Sequence, residues 1–194
     1  MKNLLTTLCF TFLLIGCKNQ GGKKEEHNHQ ETKTYKEETS KKKPLSPHTS
    51  AMAMIGDAHI HIDYSSPGVR NRIIFGGLLA YDQVWQTGAH MATWIETNKD
   101  LQIKGKTLPA GKYGFFTIPS KDEWTVIFNS NWEQHGKDEY DEKVDVFRFK
   151  VKPTFSEKIK ENLEYKVSRV NDAEGEISLA WEKVTINFNF KVKE

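Results

Sequence analysis

The segment KVTINFNFKV, residues 183–192, decides the fold class of this chain. Its apolar residues alternate strictly with polar ones, the pattern of a β-strand with one buried side and one side facing solvent. The side chains that this pattern directs inward are Val184, Ile186, Phe188, Phe190 and Val192. We therefore expect the segment to contribute one complete apolar face to a core.

The same period of two recurs upstream of this segment. Residues 165–170 and 177–181 flank turn-forming residues at 171–175 and predict a hairpin. Other strands are predicted at residues 57–64, 93–97, 101–103, 113–118, 124–128 and 144–151. Helix is scarce, although residues 154–162 could form a turn or two. Together these patterns predict a mostly β chain: a single antiparallel β-sandwich or open-barrel-like domain with little helix, at residues 50–194.

The N-terminus has the pattern of an export signal. Lys2 precedes an apolar run at residues 4–15, which is shorter than the ~20 residues that span a bilayer. The run ends in Leu-Ile-Gly-Cys at residues 14–17, which resembles a bacterial lipobox. We expect residues 1–16 to be a lipoprotein signal peptide and Cys17 to be acylated, giving an exported, membrane-anchored lipoprotein of the bacterial cell envelope, periplasmic or surface-facing. The alternative is an ordinary secretory signal followed by an unmodified Cys17.

Residues 17–49 form a polar tether in this interpretation, because they are poor in aliphatic side chains and rich in Lys, Glu, Gln, Thr and Ser. The following residues carry 19 Lys and Arg against 21 Asp and Glu, so the domain is slightly acidic. This charge balance argues against a nucleic-acid partner. The only cysteines are Cys9 and Cys17, so the expected mature domain contains no disulfide.

Several motifs in a fixed order resemble one family. They are SPGVRNR (66–72), IFGGL (74–78), YDQVWQTGA (81–89), LPAGKY (108–113), FTIP (116–119) and WTVIFN (124–129). They resemble the exported bacterial proteins known as domain of unknown function 2911, over residues 51–153 and more loosely in the C-terminal strands. The resemblance implies a secreted, mostly β domain and implies no activity. The family usually has Asn-Glu where this chain has His90-Met91, and Arg or Lys at Gln86.

A metal site is one hypothesis for function. His59 and His61 lie on one side of a predicted strand, with Cα atoms about 6–7 Å apart. His90 and Met91 could add an imidazole and a thioether, which suits zinc or copper and favours copper. Residues that could complete the ligand shell are Asp57, Asp63 and His135. The alternative is that His59 and His61 simply meet solvent.

A second hypothesis is a carbohydrate or another small polar ligand, or an anion. Arg70 and Arg72 could hold an anion through paired hydrogen bonds. Beside them, a stacking surface could be formed by Trp85, Trp94, Trp124, Trp132 and Trp181. The alternatives are a structural ion pair, for example with Asp82, and tryptophans that serve only the core. The leading expectation is thus a non-enzymatic binding or interaction module of the cell envelope, and the alternative is a zinc or copper protein with redox or hydrolytic chemistry.

Overall fold

The structure, a computed structural model, describes residues 43–193. Within that range the chain forms ten strands and one turn of 3₁₀-helix at Glu142–Val144. The strands are β1 (His48–Ile55), β2 (Ala58–Ser65), β3 (Trp94–Thr97), β4 (Leu101–Ile103), β5 (Lys106–Leu108), β6 (Gly111–Ile118), β7 (Trp124–Asn129), β8 (Asp145–Val151), β9 (Thr154–Arg169) and β10 (Glu174–Val192). The expected signal peptide, Cys17 and most of the tether lie outside the described residues.

The strands form two antiparallel sheets. One has the order β1-β2-β3-β6-β7-β8, and the other has the order β5-β4-β10-β9. The two sheets pack together through apolar faces and do not close into a barrel. The expected mostly β, sandwich-like domain is therefore confirmed. Among residues 43–193 we find no helix with the length and apolar character that crossing a membrane requires.

Aromatic side chains fill the space between the sheets. Phe188 of β10 contacts Phe115, Phe128 and Phe149, which belong to three strands of the opposite sheet. All four rings are buried. Full burial of one such side chain contributes about 1.5–3 kcal/mol. The alternation in residues 183–192 therefore marks a strand with one buried side, as expected, and that side packs against three strands of the opposite sheet.

The outer side of the six-stranded sheet is covered in one part and open in another. Over β6 and β7, Val84 and Tyr140 pack on Phe116 and Ile127, which explains why every residue of β7 is buried. Over β1 the outer side is open, and the methionine side chains at positions 52 and 54 are 57% and 52% exposed. This difference leaves a free face at one end of the sheet.

β10 is one strand of 19 residues where the sequence suggested two. Odd-numbered residues are buried from Gly175 to Trp181, and even-numbered residues are buried from Val184 to Phe190. The change of side occurs at a β-bulge, where the pairing with β9 shifts register on both sides of Glu182 and Glu182 has a φ of 55°. A bulge inserts one residue without ending the strand, so the two patterns join. The hairpin of β9 and β10 around residues 171–175 is confirmed.

The expectation of a helical turn at residues 154–162 is wrong. These residues belong to β9, and their side chains are all exposed or nearly so. Phe155, for example, pairs with Val184 across the sheet yet is 70% exposed. Because β9 extends here beyond the cover of the other sheet, its sequence shows no alternation that could indicate a strand.

Candidate functional site

Two loops and Trp181 of β10, together with Ser46, Leu78 and Leu79, line a cavity of about 320 Å³ that is open to solvent. We call it the Arg–Trp cavity. Its functional side chains are Arg70, Arg72, Trp85, Gln86, His90 and Trp181, and the remaining lining is small or apolar. One loop is formed by residues 67–72, which follow β2, and the other by residues 85–90, which precede β3. Three residues that the sequence singled out for an anionic ligand are thus brought together.

The 85–90 loop is held by buried hydrogen bonds. The indole N–H of Trp85 donates to the carbonyl oxygen of Gly88 at 3.1 Å, and the Thr87 hydroxyl donates to the carbonyl oxygen of Trp85 at 3.0 Å. The Thr87 carbonyl oxygen in turn accepts from the hydroxyls of Tyr165 and Thr93, at 2.9 and 3.0 Å. Because these groups are buried and satisfied, the loop is rigid before any ligand arrives.

The 67–72 loop is held by one of its own arginines. Arg72 donates from Nε to the carbonyl oxygen of Val69 at 3.0 Å and from Nη2 to that of Gly68 at 2.6 Å. The backbone N–H of Arg70 donates to the Glu161 carboxylate at 2.9 Å. Arg72 therefore braces the loop and still has a free terminal nitrogen, whereas the guanidinium of Arg70 has no protein partner among residues 43–193.

Left-handed backbone conformations are concentrated beside the cavity. Arg70, Asn71, Thr87 and His90 have φ values of 51°, 57°, 55° and 63°. Only three other non-glycine residues in the described chain have positive φ in this region. Each such residue costs on the order of 1 kcal/mol or more, and strain of this kind collects at binding and active sites. Four strained residues in two loops around one cavity therefore point to a functional site.

The aromatic floor of the cavity contains an unusual polar atom. The rings of Trp85 and Trp181 stack with centroids 5.7 Å apart and an interplanar angle of 24°. Trp181 is 1% exposed, yet its indole N–H has no acceptor within residues 43–193. An unpaired buried donor costs about 1–3 kcal/mol. A ligand that offered an acceptor to Trp181 would recover this energy.

The cavity carries an excess of positive charge. Of the four arginines in the chain, Arg148 and Arg169 form ion pairs with carboxylates. Neither Arg70 nor Arg72 does so within the described range, and no carboxylate lines the cavity. The ion pair with Asp82 that the sequence left open is not formed there. The two guanidinium groups are therefore available to an anion.

A larger concavity of about 540 Å³ lies nearby and is a weaker candidate. Its charged residues include Lys160, Glu161 and Glu164. The ammonium of Lys160 lies 2.6 Å from the Glu164 carboxylate, so the main charges there neutralise each other. Volume alone does not identify a binding site. The Arg–Trp cavity is smaller, but the Arg70 guanidinium and the Trp181 indole N–H lack partners within residues 43–193.

The histidines proposed as metal ligands lie in different places. His59 and His61 are neighbours on the outer side of β2, with ring centroids 6.0 Å apart. His90 lines the Arg–Trp cavity, whereas Met91 lines a separate pocket beside Trp94. Among residues 43–193 no three His, Cys, Asp or Glu side chains are grouped closely enough to hold a metal ion. The structure thus gives no support to a site that joins His59, His61 and His90, and metal binding stays a prediction.

Comparison with known proteins identifies the family of the domain. A family model described as a protein of unknown function, DUF2911, matches residues 46–190. The chain belongs to this family. The match confirms the resemblance carried by the motifs and extends from the start of β1 into β10, so it includes both loops of the cavity. Searches of curated proteins and of solved structures find no match.

Gln86 and His90, the positions at which the motif resemblance implies a departure from the family pattern, both line the cavity. Reasoning from sequence assigned His90 to a metal site and placed Trp181 among five tryptophans that could form a stacking surface beside Arg70 and Arg72. Of those five, Trp85 and Trp181 line this cavity. The sequence signal that sets Trp181 apart is the change of apolar phase at the neighbouring Glu182, where the pairing with β9 reveals a bulge. Bulges are common beside binding sites.

Proposed function

We propose that this domain is a non-enzymatic binding module of the bacterial cell envelope. Its ligand is a small molecule with an anionic group, such as a carboxylate or a phosphate, joined to a planar apolar body. The observation that carries the proposal is the Arg–Trp cavity, in which Arg70 and Arg72 lack acidic partners above a floor of Trp85 and Trp181.

The arrangement suits recognition of an anion. A guanidinium matches the geometry of carboxylate and phosphate oxygens, and hydrogen bonds to charged groups are stronger than those between neutral groups. Arg70 is exposed and can turn towards a ligand, while Arg72 is held by its loop. The volume of about 320 Å³ is near the lower end for small-molecule sites, which favours a compact ligand.

The indole of Trp181 supplies a readout for the test. We would titrate the protein with phenyl phosphate, benzoate and neutral benzyl alcohol and follow the indole N–H signals by ¹⁵N NMR. We expect the two anions to shift the Trp181 signal, assigned with a Trp181→Phe variant, and the alcohol to have little effect. Raising the salt concentration should weaken binding, because the arginines are at the surface.

Arginine variants separate this site from general attraction of anions. Arg70→Gln removes a charge that has no structural partner, and it should weaken phenyl phosphate binding by about tenfold, the equivalent of one lost charged hydrogen bond. Arg169→Gln is the matched control, because Arg169 pairs with Asp172 outside the cavity. Equal binding by wild type and Arg70→Gln, or equal binding of the anions and the alcohol, would contradict the proposal.

The envelope location is part of the same proposal. It rests on the signal-like residues 1–16 and on Cys17, whose acylation would anchor the domain to a membrane and leave the cavity facing an aqueous compartment.

The earlier alternative, zinc or copper bound by His59, His61, His90 and Met91, is tested separately. One tight equivalent of zinc or copper that is lost in His90→Ala would support it. Unchanged binding in that variant would exclude His90 as a ligand.

A further inference from the structure

The outer face of the sandwich places two methionines opposite two histidines. In the antiparallel pair of β1 and β2, Met52 is opposite His61 and Met54 is opposite His59. Directly opposite residues lie on the same side of a sheet, with Cβ atoms about 4.5–5.5 Å apart. The four side chains thus form a square on the open end of the six-stranded sheet. We call this square the Met–His face.

The spacing of the two imidazoles suits one shared ion. Their ring centroids are 6.0 Å apart. An imidazole nitrogen binds a metal at about 2.0–2.1 Å, so the centre of the ring lies about 3 Å from the ion and two such centres are at most about 6 Å apart. His59 and His61 therefore sit at the outer limit of this range, and small rotations of the side chains bring them within it.

His61 has an unsatisfied ring nitrogen. Its Nε2 is buried and lacks a hydrogen-bond partner within residues 43–193. Only one other buried side-chain polar atom in that range is unpaired, the Trp181 nitrogen of the Arg–Trp cavity. An orphaned imidazole nitrogen is an available ligand, and it marks this face independently of the methionines.

Two apolar side chains of the Met–His face, Met52 and Met54, are exposed and do not pack into the core. Met52 and Met54 are 57% and 52% exposed on β1, which is an edge strand of its sheet. Their thioethers are soft ligands that select Cu(I) over harder ions, and imidazole is compatible with that choice. A site of two thioethers and two imidazoles therefore favours Cu(I) over harder ions.

The neighbouring aromatic groups already hold a positive charge. The ammonium of Lys112 lies 3.4 Å from the ring centroid of Trp94 and 3.6 Å from that of Trp132, which is a cation–π arrangement. Trp94 also packs its ring at 5.0 Å from that of His61. Trp94 thus packs against one side of His61, whereas the Lys112 ammonium repels a cation at this face, so binding there depends on the four ligands and not on the aromatic groups.

We propose that Met52, Met54, His59 and His61 bind one soft monovalent ion, Cu(I), for which Ag(I) can substitute. The ligands are neutral, so the complex carries a single charge, and binding needs no change in oxidation state. The site shares no residue with the Arg–Trp cavity, so either can fail without the other.

The test uses the full chain in detergent, with Cys9→Ser and Cys17→Ser so that no thiol competes for the ion. The four methionines are labelled with ¹³C in their methyl groups and assigned by single Met→Leu variants. One equivalent of Ag(I) should shift the signals of Met52 and Met54. Met91 is the matched control, because it is 51% exposed and faces a single histidine, His135, that is engaged with Asp138.

Three outcomes decide the proposal. Selective shifts at Met52 and Met54, absent with Zn²⁺, support it. A Met52→Leu/Met54→Leu variant should then bind Ag(I) roughly tenfold or more weakly, and so should His61→Gln, whereas Met91→Leu should bind as before. Unshifted Met52 and Met54, or shifts equal to those of Met91, would show that the face has no specific site and would overturn the proposal.

Discussion

The buried hydroxyl of Tyr165 donates to the carbonyl oxygen of Thr87 across 2.9 Å. This single bond joins β9, in the four-stranded sheet, to the 85–90 loop that forms one wall of the Arg–Trp cavity. Thr87 has a φ of 55° and is fully buried, so its conformation depends on the partners of its backbone. The core of the sandwich and the shape of the cavity are thus connected.

Tyr165→Phe should destabilise the domain by about 0.5–1.5 kcal/mol, the usual net value of a buried hydrogen bond. The same change should weaken phenyl phosphate binding, because the loop loses one of its fixed points. Denaturant unfolding measures the first effect, and NMR titration measures the second. Tyr113→Phe is the control, since its hydroxyl bonds to Pro109 in an exposed position and it should cost less. Equal costs in the two variants would contradict the role given to Tyr165.

Alkaline pH should reduce the stability of the domain. Burial raises the pKa of Tyr165 well above its ordinary value of 10.0, and burial also raises the pKa of Tyr64. In the unfolded chain both tyrosines ionise near pH 10, whereas in the folded protein they remain protonated. The unfolded state therefore binds fewer protons above pH 10, and the free energy of unfolding falls from there upward. Unfolding curves between pH 8 and pH 11.5 measure this fall, which should be shallower in Tyr165→Phe; parallel curves would contradict the assignment.

Removal of residues 185–194 should abolish folding. The deletion takes Ile186, Phe188 and Phe190 out of the core and removes the pairing of β10 with β4. A milder change tests the same point: Phe190→Ala should cost about 3–5 kcal/mol, because Phe190 is 1% exposed and fills the space beside Gly175. Asn189→Ala, on the exposed side, should stay within about 0.5 kcal/mol. A truncated protein that is soluble and melts cooperatively would contradict the prediction.

The C-terminal half of β10 shows which structural features can be predicted from apolar periodicity and which cannot. Residues 183–192 alternate because one side of β10 meets three strands, so periodicity alone predicts their conformation. At Glu182 the apolar residues change from odd-numbered to even-numbered positions, and this pattern in the sequence predicts a gap between two strands. Bulges and gaps produce the same change of phase, and only the pairing with β9 distinguishes them.

Part of the Arg–Trp cavity could also be predicted from sequence. Arg70, Arg72 and Trp85 were selected because of their chemistry, and the structure brings them together. The structure places His90 in the cavity and not beside His59 and His61, and spacing along the chain could not predict this, since it does not tell on which side of a sheet a loop runs. The pairing of Met52 and Met54 with the histidines was missed because it depends on the register of β1 and β2, which apolar patterning alone does not reveal.

Cys17→Ala should release the protein from membranes. Cys17 is separated from the apolar run of residues 4–15 by Gly16 alone, which is where a lipobox cysteine is expected. Several acyl chains on one residue anchor stably where a single chain does not. Wild type expressed in a bacterial host should enter the detergent phase on phase separation, and Cys17→Ala should remain in the aqueous phase. Cys9→Ala is the matched control, because Cys9 lies within the segment that signal-peptide cleavage is expected to remove, and it should partition as wild type does. Wild type in the aqueous phase would show that Cys17 carries no anchor, and release by Cys9→Ala would show that the effect of Cys17→Ala arises from damage to the signal peptide.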